Sequence, residues 1–170
     1  MALTMYELTI PTLLRGFDVL SRYLEKAAAF TLEKGIAPTE FIQSKLASDM
    51  LPLSGQVQRA SDKAKGGVAR LALVDAPAFA DTETTFAELA ARVEKTTAFL
   101  HSVRKEQFEG SDTRAIEIKF RSLSGTYSGQ TYLMGILLPD FFFHVTTAHD
   151  ILRHRGLAIG KVDYLGQVQS

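Results

Sequence analysis

Histidine is the residue type in this sequence best suited to metal binding or proton transfer, and three of the four histidines lie close together, at His144, His149 and His154. The residues around them predict a helix. A step of five residues turns a helical side chain by about 500°, so successive histidines point about 140° apart. These three imidazoles therefore cannot share one ion.

Asp150 and His154 are ligand-type residues that do share a face of this helix. A separation of four residues stacks a carboxylate and an imidazole on adjacent turns, from which both can reach one metal ion. If a metal binds, we expect His154 to be a ligand and Asp150 to join it. The alternative is a surface contact near a helix C-terminus, where the helix dipole favours a cation.

Two more residues allow both a structural and a functional interpretation. Asp49 can supply a third metal ligand from an earlier helix, or it can cap the helix that begins just after it. His144 follows three phenylalanines, and it is either a pocket residue or a buried histidine that is hydrogen-bonded across the helices.

Polar residues also flank the apolar stripe of that earlier helix. Gln56 and Gln58 lie on either side of Val57, and Asp62 and Lys65 lie beside the inner face. They either line a polar pocket or form the solvated flank of an amphipathic helix. The candidate pocket residues are Asp49, Gln56, Asp62 and His144.

Composition limits the class of protein. The 170 residues, 46% hydrophobic and 22% charged, suit one globular domain spanning residues 1–170. Nineteen basic residues balance nineteen acidic ones without a basic block, so we expect no nucleic-acid partner. No run reaches the roughly 18–20 apolar residues of a membrane span. Because the N-terminus lacks a signal pattern and cysteine is absent, we expect a cytoplasmic protein without disulfides.

Apolar spacing predicts two long helices in the first half of the chain. Residues 9–34 place apolar side chains three and four apart, and Gly35 suits the C-terminal cap. A further helical stretch begins at Pro38 and should break at Pro52, because proline disfavours helical geometry at the preceding residue. The helical period then resumes over residues 53–71.

A hairpin and a third helix are predicted next. Thr85 and Glu88 form a capping box at the start of the helix, which should end before Gly110. Residues 116–120 alternate as a strand that would pair with residues 126–133. The inner face of the helix is expected to comprise Phe86, Leu89, Val93, Thr97, Leu100 and Val103.

The last helix should begin at residues 138–140 and stop at Gly156, with the phenylalanines at 141–143 buried. The tail through Tyr164 is expected to be irregular. Four helices of similar length with short connections favour an antiparallel four-helix bundle. The predicted fold is therefore mainly α, with a small β-hairpin before the last helix.

Several segments carry a family resemblance. They are LASDMLPL at 46–53, QVQ at 56–58, DKAK at 62–65, ETTF at 83–86 and LPDFFFHVTTA at 138–148. Together they resemble a bacterial family of uncharacterised domains within the DinB/YfiT-like superfamily. The similarity extends nearly from end to end of the chain.

The resemblance implies a four-helix bundle, often dimeric, whose active members bind a divalent metal through three histidines and perform thiol-dependent transferase or hydrolase chemistry. One ligand comes from the second helix and two from the last. His154 precedes Arg-Gly and matches the final ligand, the other position on that helix is Asp150, and Asp49 is the nearest substitute near the second helix. Zinc, nickel, manganese and iron are the candidate ions.

Two classes of function follow from these observations. With a degenerate or altered metal site, the domain would be a small-molecule-binding or interaction module. The alternative is a metal-dependent transferase or hydrolase with a pocket around His144, Asp49 and His154. The apolar residues of the first and last helices exceed what one bundle needs, so we also expect a homodimer.

Overall fold

The computed structural model of the protein describes residues 3–120 and 124–166. Its elements follow in the order α1 (Met5–Lys34), α2 (Pro38–Ile42), α3 (Leu53–Ala72), α4 (Phe86–Ser102), a 3-10 turn (Lys105–Phe108), β1 (Ala115–Lys119), β2 (Ser124–Ser128), α5 (Gly129–Tyr132), a π-helical segment (Leu133–Leu137), α6 (Leu138–His154) and α7 (Lys161–Leu165). The long helices α1 and α3 each pack against α4 and α6. This arrangement confirms the predicted four-helix bundle with a small hairpin. None of the described helices is long and apolar enough to cross a membrane.

Helix α1 begins at Met5 rather than at residue 9, because a capping box precedes it. The Thr4 hydroxyl accepts a hydrogen bond from the Glu7 amide at 3.2 Å, and the Glu7 carboxylate accepts one from the Thr4 amide at 2.8 Å. These reciprocal bonds satisfy backbone donors that a helix start leaves free. At the other end, Gly35 has φ 64° and forms the predicted cap.

A break precedes α3 as predicted, but it begins earlier than Pro52, because α2 already ends at Ile42. The predicted Asp49 cap is wrong. Asp49 is exposed in the turn that follows α2, and the N-cap position is occupied by Pro52 without a side-chain hydrogen bond. The chain reverses so that the Leu53 amide donates to the Ser44 carbonyl at 3.0 Å. A backbone carbonyl therefore pairs with the first amide of α3.

Helix α4 begins with the predicted capping box of Thr85 and Glu88. Its buried threonine is Thr96, however, and the prediction of Thr97 is wrong. The Thr96 hydroxyl lies 2.7 Å from the Ser61 hydroxyl of α3, so a polar pair satisfies both groups inside the bundle. The remaining predicted inner residues are buried: Phe86, Leu89, Val93, Leu100 and Val103.

The hairpin pairs β1 and β2 antiparallel, with Ile116 opposite Tyr127. The predicted second strand, residues 126–133, is too long, since β2 ends at Ser128. The Ser128 hydroxyl accepts a hydrogen bond from the Thr131 amide at 3.2 Å and caps α5. The chain therefore turns helical at once and continues through the π-helical segment into α6.

The aromatic run of α6 is only partly buried. Phe141 is fully buried and packs edge-on against Phe17 of α1, with ring centroids 5.1 Å apart. Phe143 is 59% exposed, so the predicted burial of the whole run is wrong. Three consecutive residues spread over about 200° of a helix, and they cannot all face one core.

The C-terminal tail is also more regular than predicted, since residues 161–165 form α7. Asp163 of α7 pairs with Lys26 of α1 at 2.5 Å. Arg15 of α1 donates to the Leu165 carbonyl at 2.7 Å. These contacts hold α7 against α1, and such tertiary partners are not visible in the local pattern of the tail.

Candidate functional site

A chain of hydrogen bonds joins α3 to α6 and ends at the surface. Gln56 donates its amide N–H to the Leu51 carbonyl at 3.1 Å, which turns its Oε1 toward His144 Nδ1 at 2.8 Å. The other ring nitrogen, Nε2, lies 3.3 Å from Asp140 Oδ1. The second carboxylate oxygen of Asp140 is 2.8 Å from Lys63 Nζ.

The structure thus brings together two of the candidate pocket residues, Gln56 and His144, and both are buried. Of the two interpretations of His144, the geometry supports a buried histidine that is hydrogen-bonded across the helices. Both ring nitrogens lie close to side-chain oxygens, those of Gln56 and Asp140. Sequence reasoning missed Asp140, although its spacing of four residues from His144 was a visible signal.

The Asp140 carboxyl has a pKa below its ordinary value. Burial would raise the pKa, because desolvation disfavours the charged form, but hydrogen bonds from His144 and Lys63 and the charges of both groups outweigh that effect. The fold therefore stabilises the ionised carboxylate.

Asp140→Asn should lower the free energy of unfolding at neutral pH. In acid the difference between variant and wild type should become small. Because the folded-state pKa is depressed, the carboxylate stabilises the fold above its unfolded-state pKa of about 3.9. That contribution is lost as the pH falls through the lower folded-state pKa. Urea unfolding at pH 7 and at about pH 3 measures the free energy of unfolding of wild type and variant. The difference between the two proteins should be smaller at the lower pH.

Glu94→Gln is the control for this prediction. Glu94 is exposed on α4 and makes no ion pair within the described ranges, so its replacement should change stability little at either pH. An Asp140→Asn difference that stayed constant down to about pH 3 would contradict the assigned role of Asp140.

A groove lies at the outer end of the hydrogen-bond chain, between α3, the π-helical segment and the start of α6. Its volume is about 240 Å³. The bonds that place Asp140 and Lys63 beside each other also place them on its rim. Five charged side chains line the groove: Arg59, Asp62, Lys63, Arg70 and Asp140.

The rest of the lining forms a largely apolar wall that comprises Phe120, Tyr132, Ile136 and Leu137. Lys63 Nζ lies 4.8 Å from the centroid of the Phe120 ring, within the range of a cation–π contact. The π-helical segment approaches α3 closely because Gly67 has no side chain. A Cβ there would lie 2.4 Å from Leu137 Cδ1. π-Helical turns are frequent at functional sites, and this one forms the groove wall.

Asp62, the third pocket candidate in this region, also belongs to an ion-pair cluster around Arg92 of α4. The Arg92 side chain is 1% exposed and lies 2.9 Å from Asp62, 2.9 Å from Asp81 and 2.8 Å from Glu83. Burial would raise the pKa of Glu83, but hydrogen bonds from Arg92 and Gln58 lower it below the ordinary value. The cluster holds the loop between α3 and α4 against the bundle.

The proposed metal ligands lie elsewhere. Asp49, Asp150 and His154 are all exposed. Across residues 3–120 and 124–166, no three histidine, cysteine, aspartate or glutamate side chains converge closely enough to hold a metal ion. Catalytic zinc sites commonly use three protein ligands, so the described residues do not fit the ion that the resemblance implies. The pairing of Asp150 with His154 stays a prediction.

His149 links α6 to α1. Its Nδ1 lies 2.7 Å from the Tyr23 hydroxyl, and its ring packs edge-on against Tyr164 with centroids 6.0 Å apart. Burial raises the pKa of Tyr23, so the phenol stays neutral and can donate to the imidazole. His149 therefore has a structural partner outside the groove.

Comparisons with known proteins agree with this architecture. Residues 5–165 match a family described as a domain of unknown function, DUF1993. Among solved structures, the chain is similar to a DinB family member protein from Shewanella denitrificans, with a TM-score of 0.91 and 35% sequence identity. That similarity covers 98% of this chain and 94% of the other. No curated protein matches the chain.

Proposed function

This chain belongs to the DUF1993 family of DinB-like helical proteins, and we propose that it is a small-molecule-binding module whose ligand occupies the groove between α3 and α6. The observation that carries the proposal is the convergence of five charged side chains and an apolar wall on one concave site. Ligand sites are typically concave, with apolar walls and a few placed polar groups that orient the ligand.

The polar groups of the groove are held in position by the rest of the bundle. His144 and Lys63 orient Asp140, and Arg92 orients Asp62. A site whose side chains are already ordered loses less conformational entropy when a ligand binds. The buried hydrogen-bond chain and ion-pair cluster therefore support a binding site at this place.

The same contacts favour binding over catalysis. A general base works best when its pKa lies near the working pH, whereas the pKa of Asp140 is below its ordinary value. The described residues that line the groove include no serine, threonine or cysteine that could act as a nucleophile. We therefore assign the groove to ligand recognition.

Titration of the ¹⁵N-labelled protein with benzoate, benzamide and benzamidine tests the proposal. These probes have nearly the same shape and carry a negative, a neutral and a positive group. We expect at least one of them, at millimolar concentration, to shift the amide signals of Gly66, Gly67 and Ile136 in a saturable manner. The assignment of the binding site to this groove would be wrong if all three probes left these amide signals unchanged or shifted only signals of other residues.

Gly66→Leu provides a variant in which the groove is blocked. A Cβ at Gly66 meets only Arg70 Nη1, at 3.0 Å, so α3 can accept a side chain that fills the groove. Probe binding should be lost in this variant. Ala98→Leu adds a similar side chain at an exposed position of α4 and should leave binding unchanged.

A further inference from the structure

The cations of the groove lie on one side of α3. Arg59, Lys63 and Arg70 are separated by four and seven residues, which are one and two helical turns. Lys63 is paired with Asp140 at 2.8 Å. Arg59 contacts Asp62 at 3.2 Å and also pairs with Asp81.

Arg70 differs from the other two cations. It is exposed and makes no ion pair in the part of the chain that the structure describes. Its Nη1 lies 3.0 Å from the position that a Cβ of Gly66 would occupy, so the guanidinium folds back over the bare glycine. It also lies beside the Tyr132 hydroxyl, whose burial-raised pKa it partly lowers. The guanidinium therefore lines the groove.

The balance of charge in the groove is positive. Three cations face two carboxylates among its lining residues, and Asp62 is shared with Arg92 and Lys65 outside the groove. A guanidinium binds a planar carboxylate through two parallel hydrogen bonds. Arg70 thus offers the groove a guanidinium that pairs with no carboxylate among the described residues.

The size and the apolar wall of the groove restrict the rest of the ligand. Its volume of about 240 Å³ is below the roughly 300–1,000 Å³ of pockets for drug-sized ligands. Phe120 is 43% exposed at one side and Ile136 is half-buried at the wall. The volume therefore limits the ligand to a compact group, and Phe120 and Ile136 offer it apolar surface.

We propose that the groove binds a small organic monoanion, with one carboxylate or similar planar oxyanion on Arg70 and a compact flat apolar group against Phe120 and Ile136. This inference rests on the proposed function and names the class of ligand. Arg70 is the anchoring residue, and the Lys63–Asp140 pair forms the polar rim around the ligand.

The three probes separate this inference from the proposed function. Benzoate should bind in the groove more tightly than benzamide or benzamidine. Arg70→Gln should weaken benzoate binding by about threefold to tenfold, an effect limited by the exposure of Arg70 to solvent, and should weaken benzamide binding less, because a neutral amide forms no ion pair. Arg70→Lys should retain part of the benzoate affinity, and Arg153→Gln, at an exposed site on α6, should retain all of it.

The other outcomes of the probe titrations distinguish failure of the monoanion inference from failure of the proposed function. If benzamide or benzamidine binds in the groove as tightly as benzoate, or if Arg70→Gln weakens all three probes equally, the monoanion inference is wrong and the proposed function stands. If none of the probes binds in the groove, the proposed function fails and the inference fails with it. Thermal unfolding of each variant shows whether a loss of binding reflects a loss of fold.

Discussion

Arg92→Ala should lower the free energy of unfolding by about 3–5 kcal/mol, the range for removing one partner of a buried ion pair. The substitution leaves Asp62, Asp81 and Glu83 close together without the cation that separates them. Glu83 is the worst affected, because its side chain is only 11% exposed. Equilibrium unfolding in guanidinium chloride measures the loss.

Arg59→Ala is the matched control for Arg92→Ala. Arg59 contacts two of the same carboxylates, Asp62 and Asp81, but its side chain is 35% exposed, so its loss should cost about 0–1 kcal/mol. Adding Glu83→Gln to Arg92→Ala should restore part of the lost stability, because it removes the buried unpaired charge. Equal effects of the two arginine variants would show that burial of Arg92 does not matter.

Gly129→Ala should cost about 3 kcal/mol, at the upper end of the usual range for overpacking a buried site. A Cβ at this position would lie 1.7 Å from the Ser111 carbonyl oxygen and 2.9 Å from the carbonyl carbon. These are backbone atoms, and the Ser111 amide is itself held by the Phe108 carbonyl at 3.0 Å. The backbone must therefore move to admit one methyl group. Urea unfolding measures the change.

Gly135→Ala, in the π-helical segment that follows, is the matched control. A Cβ at Gly135 meets no atom within 4 Å, and Gly135 is not among the positive-φ glycines of the described chain. Alanine should therefore be neutral or stabilise the fold by about 0.4–1 kcal/mol through the unfolded state. A similar loss for both variants would mean that the contact with Ser111 is not the cause.

The element boundaries that were predicted correctly depend on contacts close in sequence. Thr85 and Glu88 cap α4 from three residues apart, Pro52 stands at the N-cap of α3, and Gly35 adopts a positive φ. Each of these effects operates within about one helical turn, so the residue types alone indicate it. The family resemblance is also a property of the sequence, and the match over residues 5–165 confirms it.

The candidate site could be predicted only in part. Of the candidate pocket residues, Asp62 lines the groove. His144 contacts the lining residue Asp140, and Gln56 is connected to it only through His144. The sequence did not indicate that Arg92 is buried, because a charged residue beside the apolar face of a helix usually reaches solvent. The homodimer, the metal ligands and the location in the cell stay predictions.

The sequence by itself determined the helical pattern of this protein, most of its caps and breaks, and its family, since these are encoded in residue types within a few positions of one another. Only the tertiary structure decided which polar residues meet. His144 and Gln56 are 88 residues apart, and the groove forms where α3 meets the π-helical segment, a contact that depends on the missing side chain of Gly67. Such pairings depend on how packed helices are rotated about their axes and shifted along them, and the periodicity of each helix does not determine either.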